Sequence, residues 1–179
     1  AAFPYGYAMW LVFLPMTLIA KFTGLPLQHG YALTLLIADL CLLYSLDKLL
    51  PGRQNLLLLA YWLSPILIFS CYVLGYNDVI PALLLILSIF FIQQTKLKLA
   101  GVLCAAAISA KLSMVIALPF FAIYLYNRKA LRQRLATFVL SFCIGLVLLG
   151  VPFLFSGAGL QMLFGNPEMD KIYSLTVDI

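Results

Sequence analysis

Charge is nearly absent from long stretches of this chain, and that constrains its fold more than anything else. Six apolar runs follow one another, separated only by short polar breaks: residues 7–22, 31–46, 56–74, 79–92, 99–126 and 135–155. A helical membrane span needs about 20 apolar residues. The runs are of that order, and the shorter second and fourth need their polar flanks to extend them. Of the 179 residues, 65% are hydrophobic and 9% are charged, with a mean hydropathy of +1.09. A soluble domain carries about 25% charged residues. What is left here cannot build a water-facing surface. The expectation is an all-α, polytopic transmembrane helical bundle, with residues 31–155 as its core.

The fifth run sharpens this expectation. Residues 99–126 are long for one span and short for two. Lys111 sits near the middle, between Ser109 and Ser113, and Pro119 follows. A charge at mid-membrane costs about 2.5–3.5 kcal/mol on insertion scales. A broken, re-entrant helix pair with Lys111 at a wet tip avoids that cost, because irregular backbone at depth is tolerated where it faces protein or water.

The basic residues agree. Lys48 and Arg53, Lys96 and Lys98, and the cluster Arg128, Lys129, Arg132 and Arg134 occupy three breaks. The positive-inside rule places all three breaks in the cytoplasm. That is consistent only if the fifth run enters and returns on one side. Runs three and four then form a hairpin with Gly75-Tyr76-Asn77-Asp78 at its outer tip. Residues 1–30, with Pro4 and Pro15, form either a partial span or a shallow helix on the outer leaflet. Residues 156–179 form an outer loop, with Glu168 and Asp170, and the start of a next segment. Both chain ends read as cuts through a longer protein.

Three charges lie where charge is expensive. Asp39, in mid-run, reads as a paired charge or a hydrogen-bonding group between helices. Asp78 reads either as an N-cap of the fourth run, a role open to Asn77 as well, or as a carboxylate facing a substrate cavity. Lys111 reads as a snorkelling structural lysine or as a phosphate-binding cation. Cys41, Cys71, Cys104 and Cys143 all lie in apolar runs without a Cys-x-x-Cys motif and read as packing residues. His29 is the single histidine, so a histidine-rich metal site is excluded and no metal ligand is assigned. Ala105-Ala106-Ala107, Ser109 and Ala110 suit close helix packing. The net charge of +5 fits cytoplasmic loops facing membrane lipids, not nucleic acid.

In order, the chain presents Phe3-Pro4-Tyr5-Gly6, an apolar helix with Pro15, Asp39-Leu40, and Tyr61-Trp62-Leu63-Ser64-Pro65. Gly75-x-x-Asp78, Leu99-Ala100-Gly101, Ala110-Lys111 and Leu118-Pro119 follow. This order resembles the GT-C superfamily of integral membrane glycosyltransferases. The branch it resembles uses polyprenol-phosphate sugars and includes bacterial mannosyltransferase-like proteins and the catalytic subunit of GPI mannosyltransferase I. The resemblance implies an inverting hexosyltransferase that moves mannose from a polyprenyl-phosphate donor to a glycan or lipid acceptor. The active site would be extracytoplasmic or lumenal, in a bacterial inner membrane or the endoplasmic reticulum. It implies substrate-binding roles for Tyr5, Asn77, Asp78 and Lys111, with Lys111 or a divalent cation meeting the leaving phosphate. The catalytic base is expected upstream of Ala1. Two other classes fit the same composition: a transporter or lipid-linked sugar flippase, and a non-catalytic subunit of a membrane complex.

Overall fold

A computed structural model describes residues 6–155, and all regular structure among them is helical. The expectations for Tyr5, for the Phe3-Pro4-Tyr5 segment and for residues 156–179 lie outside the described residues.

Helix α1 (Tyr7–Thr23) runs through Pro15 without interruption and closes at Gly24, whose φ of 72° is left-handed. Ala8, Met9 and Ala20, on either side of the proline, are all buried, so packing holds both halves in one helix despite the missing N–H. Helix α2 (Leu27–Leu49) extends the second run at both ends.

The third run is not one straight helix. Helix α3 (Gln54–Leu57) passes into wide π turns over Leu58–Trp62. Helix α4 (Pro65–Ile68) does the same over Phe69–Val73, and the two halves are bent by 46°. Pro65 lacks the N–H that would continue the first half, and it disfavours helical backbone at Ser64. Ser64 accordingly takes extended angles and Pro65 restarts the helix.

Helix α5 (Val79–Gln93), α6 (Leu97–Ala110), a 3₁₀ segment (Leu112–Ala117), α7 (Leu118–Asn127), the single turn α8 (Lys129–Arg132) and α9 (Leu135–Leu154) complete the described chain.

Contacts fix the helix directions. Ser88 of α5 donates to the carbonyl of Ala100 in α6, and Asp78 pairs with Lys111, so α5 and α6 are antiparallel. Gly101 of α6 lies against Phe138 and Ser141 of α9, and Gly145 lies against Ala105. Helices α6 and α9 are therefore parallel, and the chain must return between them. Phe121 and Leu125 of α7 pack in one cluster with Leu97, Cys104 and Ile108 of α6, which makes α7 the returning arm. On the other flank, the Tyr31 hydroxyl near the start of α2 donates to the Gly75 carbonyl at 2.7 Å. Asp47, near the end of α2, shares a cavity wall with Gln54 and Leu57 of α3. Helices α2 and α5 thus leave from one end, and α3 and α4 climb back to it.

This topology sorts the breaks by end. The segments around Lys48 to Arg53, Lys96 to Lys98 and Arg128 to Arg134 lie at one end. Gly75 to Asp78 and Lys111 lie at the other. Helix α1 belongs to that second end: Gly6 abuts Ser109, Tyr7 meets Phe153 edge-on at 6.3 Å, and Phe13 stacks on Tyr31 at 4.8 Å.

Small side chains set the centre of the bundle. Ala100, Cys104, Ala105, Ala107 and Ala110 of α6 are fully buried, so its neighbours pack close to its backbone. A Cβ at Gly101 would fall 2.5 Å from the Phe138 carbonyl oxygen. Outward faces stay apolar, with Leu140, Val147 and Leu148 of α9 all exposed. Among the described residues α9 alone is long and apolar enough to cross a membrane, with a mean hydropathy of 2.3 over Leu135–Phe153. The bent α3–α4 pair passes the same test when its halves are taken together.

Candidate functional site

Two carboxylates and one lysine organise the end of the bundle where α5 begins and α6 stops. Helix α6 ends at Ala110. Lys111 takes extended backbone angles (φ −148°, ψ 116°) before the 3₁₀ segment starts. Its N–H still reaches the Ala107 carbonyl, and its own carbonyl accepts from Met114 N–H, both at 3.0 Å. The break therefore leaves the backbone hydrogen-bonded while swinging the side chain off the helix axis.

Opposite it, Gly75 takes a left-handed φ of 69°, which suits glycine. This turn starts a short loop that Tyr31 holds through the Gly75 carbonyl. The loop delivers Asp78 to Lys111, with Nζ donating to Oδ1 at 2.5 Å. The two side chains remain 53% and 35% exposed, respectively.

The expected N-cap is not formed by either Asn77 or Asp78. Asp78 occupies the cap position without a side-chain bond to backbone. Both of its ordinary targets are unavailable. The Ile80 N–H is taken by the Asn77 carbonyl at 3.1 Å, and Pro81 has no N–H to give.

A cavity of about 430 Å³ lies beside Asp78, with Tyr61, Ser64, Ser70, Cys71 and Tyr76 in its wall. Asn77, adjacent in sequence, turns elsewhere. It lines a separate cavity with Trp10 and Tyr31. Of the residues singled out from sequence, Asp78 and Lys111 are brought into contact, and Asn77 is on the same loop but faces a different space. Cys71 and Cys104 are buried, Cys41 and Cys143 are exposed, and all four are free thiols. No cluster of three or more His, Cys, Asp or Glu side chains suited to a metal occurs among the described residues.

Sequence reading did not find the partners of Asp39. This carboxylate is 1% exposed and accepts three hydrogen bonds from the bent α3–α4 pair. The Tyr61 hydroxyl donates to Oδ1 at 2.6 Å. Trp62 Nε1 donates to Oδ2 at 3.1 Å, and the Tyr72 hydroxyl to Oδ2 at 2.6 Å. Tyr61 also lines the cavity beside Asp78, so Asp39 fixes one wall of that cavity. The visible signal was an acidic residue inside an apolar run, followed by Tyr61-Trp62 and Tyr72 in the next run.

An apolar helical chain with a cation held at a helix break has the makings of a membrane-bound enzyme site, and comparison with known proteins gives that class. The chain belongs to the ALG3 family, whose model, described as ALG3 protein, matches residues 12–164. That family comprises mannosyltransferases of the endoplasmic reticulum membrane that work in glycosylation. Membership agrees with the expected membrane glycosyltransferase as a class, and the family matched is ALG3 rather than the GPI mannosyltransferase I branch. No curated protein and no solved structure matches the chain.

Proposed function

We propose that this chain forms the donor-binding part of a multi-pass, GT-C-type mannosyltransferase. In this reading mannose moves from a polyprenyl phosphate to an acceptor hydroxyl on the lumenal or extracytoplasmic side. The observation that carries it is the Asp78–Lys111 pair at the helix break, at the end of the bundle remote from the basic breaks.

The basic end supports the membrane orientation. Lys48, Lys96, Arg128 and Arg132 lie over the rings of Tyr44, Phe91, Tyr124 and Tyr126, at 4.2 to 5.7 Å from the centroids. Basic and aromatic side chains together suit a membrane–water boundary, and the basic bias makes it the cytoplasmic one. The Asp78 end then faces outward, with α6 and the 3₁₀–α7 arm as the re-entrant pair and α1 lying shallow at the outer surface.

The chemistry follows from charge. The acceptor oxygen attacks the anomeric carbon from the face opposite the phosphate. The bond from that carbon to the phosphate oxygen breaks, its electron pair stays on the phosphate, and the hydroxyl proton passes to a base. The phosphodiester carries one negative charge and the departing phosphate carries two. An ammonium beside it is therefore bound more strongly as the bond breaks, which lowers the barrier. Lys111 has three N–H donors. Asp78 takes one and orients the group, and two remain for phosphate oxygens.

The test is transfer from polyprenyl-phosphate mannose by the full-length protein, with donor below saturation. Lys111→Ala lowers the rate on the order of 10²-fold, the scale seen when one donor to a developing oxyanion is removed. Lys111→Arg keeps part of the activity because the charge survives. An unchanged rate for Lys111→Ala removes the lysine from the reaction.

A further inference from the structure

Helices α5 and α7 both pack on α6, and a cavity of about 270 Å³ lies between them. Leu85 and Ile89 of α5 form one wall, and Ala117 and Phe121 of the returning arm form the other. Gln93 and Tyr124 stand at its end next to the basic breaks. Both are exposed, so the cavity opens on the outside of the bundle. Helix α7 ends on Arg128, whose guanidinium lies over the Tyr124 ring at 5.3 Å from the centroid. Stacking of this kind uses the face of the ring and leaves the N–H edge of the guanidinium open. Among the described residues Arg128 has no ion pair and no side-chain hydrogen bond.

Length and charge together define the occupant. Gln93 lies eight residues beyond Leu85, a rise of about 12 Å along the helix. Half of a hydrocarbon core of about 30 Å is about 15 Å. The groove therefore runs from the boundary at the basic end most of the way to mid-membrane, the depth that one acyl chain of that leaflet reaches. A guanidinium at the mouth suits a phosphate, which it grips with two parallel N–H donors. Basic pockets between helices on the cytoplasmic side are where anionic headgroups bind. An anionic phospholipid carries both parts in the right order, with its chain in the groove and its phosphate at the mouth. A zwitterionic lipid brings a cation of its own toward Arg128, which favours a headgroup with net negative charge. The polyprenyl-phosphate donor fits less well, because Lys111 holds its phosphate at the opposite end.

We infer that this cavity is a lipid site: one acyl chain of an anionic phospholipid lies between α5 and α7, and Arg128 holds its phosphate. The site rests on the membrane orientation proposed above and on no step of the transfer. It bears on the rest of the fold, because α7 follows directly on the 3₁₀ segment that starts beside Lys111. A lipid seated here braces the arm that carries the helix break.

The test is native mass spectrometry of the full-length protein in detergent, with dioleoylphosphatidylserine or dioleoylphosphatidylcholine added at equal concentration. The wild type retains one phosphatidylserine, with a preference over phosphatidylcholine of about tenfold, the scale of a charge-assisted phosphate contact. Arg128→Ala lowers phosphatidylserine retention to the phosphatidylcholine level. Lys96→Ala keeps it, because that ammonium lies over Phe91, which is not part of the cavity wall. Ala117→Leu fills the groove and removes the retained lipid with every charge intact. Phosphatidylserine raises the melting temperature of the wild type and not that of Arg128→Ala. An equal loss in Lys96→Ala would mark general surface charge and overturn the inference. So would a lipid that survives Ala117→Leu, one that glycerol 3-phosphate displaces, or one that polyprenyl phosphate displaces. Retention in a protein that transfers no mannose upholds the lipid site and sinks the transferase reading; transfer without retention does the reverse.

Discussion

Asp39 and Asp78 are the same side chain in two opposite settings. Asp39 is buried, has no cation within bonding distance among the described residues, and is satisfied by two phenols and an indole. Asp78 is half exposed and holds a single lysine. Away from water an unpaired carboxylate is tolerated only when its lone pairs are occupied, and such a network is costly to leave half made. Asp39 therefore belongs to the framework and ties the bent α3–α4 pair to α2. An exposed ion pair contributes only about 0–1 kcal/mol, so the Asp78–Lys111 pair adds little to the fold. It holds a charge in place at the mouth of a cavity.

The largest expected effect breaks the framework carboxylate. Asp39→Ala leaves three donors without their buried acceptor and should destabilise the protein by about 3–5 kcal/mol, the range for removing one partner of a buried charged network. Equilibrium unfolding in mixed detergent measures this. A change below about 1 kcal/mol would mean that Asp39 is as dispensable to the fold as Asp78.

Next come the donors singly. Hydrogen bonds to charged groups contribute about 1.5–3 kcal/mol each, so Tyr61→Phe, Tyr72→Phe and Trp62→Phe should each cost about 1–3 kcal/mol. Only Tyr61 also lines the cavity beside Asp78. Tyr61→Phe should therefore change the donor KM as well, while Trp62→Phe at equal stability loss leaves it alone. Equal kinetic effects for both would show that the cage does not shape the cavity.

How far the sequence reached differs between these two regions. The helix break at Lys111 was legible because length and charge conflicted locally: a run of 28 residues with a lysine at its centre has few solutions in a bilayer. The sorting of basic breaks to one end was legible for a similar reason, since Lys and Arg positions need no knowledge of contacts. The Asp39 cage was not legible. Its donors lie 22 to 33 residues away, and in an apolar run Tyr61, Trp62 and Tyr72 look like ordinary packing aromatics. Pro65 was visible, but prolines are tolerated within membrane helices, so its presence alone did not predict a bend of 46°. The cap expected at Asn77 or Asp78 is not made, because Pro81 has no N–H to give and the Ile80 N–H is taken by the Asn77 carbonyl.

The smallest expected effect tests the comparison most directly, through two double-mutant cycles on stability. For Asp78 and Lys111, the coupling between Asp78→Ala and Lys111→Ala should lie below about 1 kcal/mol, because water screens both groups. It should shrink further when salt is raised from about 0.05 to about 0.5 M, which shortens the screening length roughly threefold. For Asp39 and Trp62, the coupling between Asp39→Asn and Trp62→Phe should exceed about 1 kcal/mol and respond little to salt, because the carboxylate is buried and the variant loses its acceptor for the indole N–H. The choice of Asn matters. It keeps the size of the aspartate and an acceptor for Tyr61, but turns an N–H₂ toward Trp62 Nε1, which can only donate. Part of the loss is then a clash of donors that Tyr61→Phe cannot relieve, so Asp39→Asn paired with Trp62→Phe should show the larger coupling of the two. Should the Asp78–Lys111 coupling prove the stronger and the salt-independent one, the roles assigned here would be reversed, with the lysine part of the framework and Asp39 the group free to act.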